Sequence, residues 1–166
     1  MLNITANSFT SGEYTIAQST KTTTDLTAAI AKYEKRYLLK LFGAEMYDLF
    51  EDDLSGGVPQ SAEYLAIYNP FYENDGKILY QSEGMLEMLK NFIFFEFLRK
   101  QPLKSTVSGI EQNEVENGTI QRSYKSGIIA KYNAGVETYK AIQWKLCENT
   151  SLYPDYIGQN IDKIFY

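Results

Sequence analysis

The residues of this chain best suited to chemistry are carboxylates. Asp52 and Asp53 stand side by side in "EDD" (51–53), and Glu96 stands alone among phenylalanines in "NFIFFEFL" (91–98). Glu111, Glu114 and Glu116 punctuate a polar stretch further on. Two carboxylates at a set separation can do the acid–base work of glycoside hydrolysis. However, "EDD" falls at a helix end before Gly56-Gly57, where an acidic cluster is ordinarily solvated. Glu96 lies near the centre of an apolar stripe. A carboxylate there needs a partner, and the expectation is a structural pair with Tyr, Lys or Arg. The chain has no histidine, which removes Ser-His-Asp and Cys-His nucleophile systems and most zinc sites. Gly56-Gly57 alone is a turn, not a phosphate loop. The lone cysteine, Cys147, reads as a semi-buried packing residue. These residues lead us to expect no enzyme, no metal and no cofactor.

Composition narrows the partners. The chain has 166 residues, 44% of them hydrophobic and 22% charged, so one globular domain is expected. The net charge is −5 and the basic residues are scattered. Tight nucleic-acid binding needs clustered Lys and Arg to displace counterions from phosphates, and is not expected. The first residues, "MLNITANSFT", lack the charged and apolar regions of a signal peptide. No apolar run is long enough for a bilayer, so the chain reads as cytoplasmic until assembly.

Positioning these residues requires a mainly α fold, a helical bundle with long central and C-terminal helices. Residues 1–24 are expected to form an N-terminal arm, with a short strand or extended segment at 13–18. Leu26, Ile30, Tyr33, Tyr37 and Leu41 hold a helical stripe up to Gly43. A second amphipathic helix covers 44–54, "SGGVP" (55–59) is a loop, and 62–68 is a short helix. Asp-Gly within 72–80 marks a small hairpin or a plain turn. A helix over 82–101 stops at Pro102. Its second half is apolar nearly all round, so it is the central buried helix, or it offers Phe94 and Leu98 to a neighbour. Residues 102–119 have no period and read as an extended loop carrying Ile110 and Val115. A last helix over 121–148 would be about 40 Å long. The helical domain thus spans 25–150, and the tail, 151–166, is apolar enough to dock on something.

The segment "LTAAIAKYEKRYLLKLFGAEMYDLF" (26–50) resembles the start of the small helical head–tail connector proteins of tailed bacteriophages. Those of crAss-like and related phages of Bacteroidetes hosts are the most similar. "GGVP", "YNPF", "SEGMLEMLKNFIFFEFLRKQ", "YNAGVETY" (132–139) and "YPDYIG" (153–158) follow in the same order. The resemblance covers most of the chain after residue 25 and rests on order and aromatic positions. It implies a structural virion protein: a twelve-membered homo-oligomeric ring in the neck, beneath the portal, through which DNA passes without specific binding. It implies no catalytic residues. Phe94, Leu98, Ile110 and Val115 are then the subunit-interface candidates, and Glu111, Glu114 and Glu116 line a loop or the lumen. A tail-completion or terminator protein, another neck ring, or a cytoplasmic helical binding module are the alternatives.

Overall fold

A computed structural model describes residues 1–16, 20–100, 103–106, 109–112 and 118–165. The described part is mainly α. Its helices are α1 (Thr20–Phe42), α2 (Ala44–Asp52), α3 (Ala62–Tyr68), α4 (Met85–Leu98) and α5 (Gly118–Glu148). Strands pair only as antiparallel couples: β1 (Leu54–Ser55) with β2 (Val58–Pro59), β3 (Phe71–Asn74) with β4 (Leu79–Ser82), and β5 (Leu103–Thr106) with β6 (Gly109–Gln112).

α4 sits at the centre, packed on α1 to one side and on α5 to the other. Every residue from Asn91 to Leu98 is buried, which is why its sequence is apolar all round. α5 runs 31 residues, about 46 Å, and approaches α4 most closely at Gly135. A Cβ there would lie 2.9 Å from the Phe92 ring. α1 buries Leu26, Ile30, Tyr33, Tyr37 and Leu41, the helical stripe expected of it, and breaks at Gly43, where φ is +84°. α2 then turns back along α1, so that Tyr47 reaches Lys35.

Several elements differ from expectation. Residues 12–14 form a 3-10 turn rather than the start of a strand. The arm is not free: Leu2, Ile4, Phe9, Tyr14 and Ile16 join the one core. The segment 55–59 is not an open loop, since Gly56 and Gly57, both with positive φ, turn β1 directly into β2. The stretch 102–119 is not a continuous loop either. β5 and β6 occupy part of it, and Gly118 and Thr119 already belong to α5. Strands of four residues are too short to impose a readable period. The central helix is shorter than 82–101, because Ser82 pairs in β4 and Gly84 (φ +95°) sets the turn into α4.

The tail docks on the chain's own helix end. The last carbonyls of an α-helix lack intrahelical partners. Here the Ile157 amide donates to the Phe42 carbonyl at 3.1 Å, and the Gln159 amide donates to the Lys40 carbonyl at 2.7 Å. Further along, Asn133 of α5 brackets the Ile164 backbone, donating to its carbonyl at 2.9 Å and accepting from its amide at 2.8 Å.

Candidate functional site

Two charged clusters flank α1. On the α4 side, the Glu96 carboxylate is 3% exposed. Its Oε1 accepts the Tyr37 hydroxyl at 3.0 Å and lies 4.0 Å from the Arg36 guanidinium. Its Oε2 lies 2.7 Å from Arg99 but receives no aligned hydrogen bond, so that contact is an ion pair. Burial, with Glu96 alongside, pushes the Tyr37 hydroxyl far above the ordinary tyrosine range. Hence Glu96 is a paired structural carboxylate, as its place in the stripe implies. The cluster continues to Tyr33, whose ring is flanked by the ammonium groups of Lys32 and Lys100 at 5.7 and 5.0 Å. Lys100 also donates to the Tyr33 hydroxyl. Arg36 and Arg99 are about half exposed, and Lys32 and Lys100 are exposed.

On the other flank, α2 presents Glu45, Asp48, Leu49 and Asp52 outward, at spacings of three and four that share one helix face. None of these carboxylates forms an ion pair among the described residues. Asp53 is separate from them. Its carboxylate accepts the Gln60 amide at 2.9 Å and both the amide (3.0 Å) and hydroxyl (3.1 Å) of Ser61. Slight desolvation works against ionisation there, and the donors from Ser61 and Gln60 outweigh it, holding the carboxyl below its usual range. Asp53 therefore staples the segment leading into α3, and the "EDD" cluster divides: Asp52 stays on the solvated face, Asp53 holds a turn, and Glu51 pairs with the Met1 amine at 3.0 Å.

The other expected positions fall as follows. Phe94 and Leu98 are 8% and 9% exposed. Phe94 meets the Tyr14 ring edge-on at 5.8 Å, so the docked arm takes the space a neighbour was expected to fill. Ile110 and Glu111 lie on β6. Glu114, Val115 and Glu116 lie outside the described residues. Cys147 is exposed, not semi-buried. The described residues hold no cluster of three or more metal-ligating side chains, and no helix is long and apolar enough to cross a membrane.

Two features lie beyond what periodicity marks. Glu34, 1% exposed, accepts the Leu2 amide at 2.6 Å, while its Oε2 has no partner. Its position, four residues from both Ile30 and Leu38, was the available signal. The β3–β4 hairpin is the second. Phe71, Glu73 and Tyr80 turn inward, with Tyr80 stacked on Trp144 at 4.1 Å and Glu73 2.6 Å from Lys145. Tyr72, Ile78 and Leu79 remain exposed. A cavity of about 370 Å³ opens beside Leu79, Tyr80, Lys140 and Lys163.

The chain matches no family profile, no curated protein and no solved structure.

Proposed function

We propose that this chain is a non-catalytic structural subunit of a tailed-phage neck, a helical-bundle connector that forms a ring beneath the portal and leaves a passage for DNA. The observation that carries the reading is the placement of the segments resembling that family. "YLLKLFG" ends α1, "NFIFFEFL" is the buried heart of α4, "YNAGVETY" is the part of α5 that meets α4, and "YPDYIG" supplies the tail amide of Ile157 that docks on the end of α1. The chemistry agrees with a geometric role, because the buried carboxylates Glu34 and Glu96 are engaged by the chain's own amide, hydroxyl and guanidinium groups. A ring needs two different surfaces per subunit and closes by rotation.

Native mass spectrometry of the purified protein, alone and mixed with its candidate portal, tests this. A discrete multimer, or recruitment of about twelve copies by the portal, is the expected result. A stable monomer that ignores the portal would remove the neck-ring reading.

A second reading has its own observation. The outward face of β3–β4, with Tyr72, Ile78 and Leu79 beside the cavity at Lys140, would suit a helical module that binds a partner segment. A monomer with saturable binding of a partner at this face would favour it.

A further inference from the structure

We propose that neighbouring copies of this chain join head to tail through the basic cluster around Glu96 and the acidic outer face of α2. The inference rests on the ring reading for closure of the chain of contacts, and it names the surfaces that reading leaves open.

Charge complementarity carries it. Arg36 and Arg99 beside Glu96, and Lys32 and Lys100 over the neighbouring Tyr33, are four cations against one buried carboxylate, an excess of three positive charges among the described residues. This is a local excess in a chain whose net charge is −5. Glu45, Asp48 and Asp52 offer three negative charges without ion partners among the described residues, grouped about the half-exposed Leu49. A polar rim around an apolar centre is the ordinary anatomy of a protein interface.

No ion pair joins the two patches within one subunit among the described residues. Lys35 lies over Tyr47 of α2, whereas the next residue, Arg36, turns toward Glu96 of α4. In a ring the pair makes a heterologous contact, in which each subunit gives one surface and receives the other. The basic cluster is also part-built before association: Glu96 holds Arg99 at 2.7 Å, and the Tyr33 hydroxyl holds Lys100. Those two side chains have less freedom to lose on binding.

The test is a pair of charge reversals placed away from the buried carboxylate. Lys32→Glu with Lys100→Glu reverses the basic patch. Asp48→Lys with Asp52→Lys reverses the acidic one. Sedimentation and native mass spectrometry of the full chain read the outcome. Each double variant is expected to associate on the order of a hundredfold more weakly than the parent. An equal mixture of the two is expected to regain association, because each reversed patch then faces a reversed partner. Should a double variant misfold by circular dichroism, the single reversals Lys32→Glu and Asp48→Lys decide, each expected to weaken association by about tenfold.

A ring that survives both reversals overturns this interface while leaving the ring reading intact. A parent chain that stays monomeric at every concentration overturns both. A monomer whose basic patch instead binds duplex DNA, with binding lost in Lys32→Glu/Lys100→Glu, assigns the patch to a polyanion and also overturns the interface.

Discussion

The Tyr37 hydroxyl donates to Glu96 at 3.0 Å while the Tyr37 ring lies stacked on Phe92 at 4.1 Å. One side chain thus ties α1 to α4 by a polar and an apolar contact, at the point where both helices are most deeply buried. Removing the hydroxyl in Tyr37→Phe keeps the stack and leaves a buried carboxylate oxygen without its donor. The expected cost is about 1–3 kcal/mol in urea unfolding. Because the penalty comes from the orphaned charge, the double variant Tyr37→Phe/Glu96→Leu should cost less than the sum of the singles. Strict additivity would mean that the hydroxyl and the carboxylate are not coupled.

Gly158 is glycine for reasons of space. Its φ is not positive, but a Cβ would collide with the Leu41 carbonyl oxygen and the Tyr156 ring. The amides on either side of it cap α1. Gly158→Ala should therefore peel the tail from α1 and accelerate hydrogen exchange at Ile157 and Gln159, with a stability loss of roughly 1–3 kcal/mol. Unchanged protection at those two amides would show that the tail adapts without leaving.

These two sites mark how far the sequence alone can be read. The burial of α4 is legible because eight consecutive positions offer no polar face, and Glu96 within them demands a partner. That the tail docks is legible in its apolar residues, but where it docks is not, since the contact depends on backbone amides meeting orphaned helix carbonyls, and backbone groups leave no trace in residue type. The arm is obscured for a related reason: Leu2, Ile4 and Phe9 are buried, but a single step of two followed by a step of five is too short and irregular to read as helix or strand. Glu34 sits beside the stripe through Ile30, Tyr33 and Tyr37, which passes over it. The two flanking charge patches were present as scattered residues. Only the return of α2 along α1 and the packing of α4 group them.

The single tryptophan reports on the hairpin. Trp144 stacks on Tyr80 at an interplanar angle of 7°, and the neighbouring Lys145 holds both Glu73 (2.6 Å) and the Phe71 ring (4.2 Å). Tyr80→Ala should expose the indole and shift its emission to longer wavelength, with a stability loss of about 1 kcal/mol beyond the buried area. Lys145→Met should loosen β3 without a comparable emission shift. Identical spectra for Tyr80→Ala and the parent would separate the hairpin from α5.

Glu34 gives the protein a pH dependence of definite sign. Burial raises its carboxyl above the ordinary 4.5, with Glu51 adding to the rise and the Leu2 amide and the Met1 amine opposing it. The folded chain therefore holds this proton more tightly than the unfolded chain does. The stabilisation is full below the ordinary carboxylate range and is lost as pH rises through the raised folded value. Asp53, whose carboxyl is held low, works in the opposite sense, its contribution being lost as pH falls. Glu34→Gln keeps an acceptor for the Leu2 amide and cannot ionise. Relative to the parent, its melting temperature should climb as pH rises above the ordinary carboxylate range. The Asp53 effect is common to both proteins and cancels in that difference. Parallel melting curves across the range would mean that Glu34 titrates alike in the folded and unfolded chains, and that its buried, unpartnered oxygen is solvated after all.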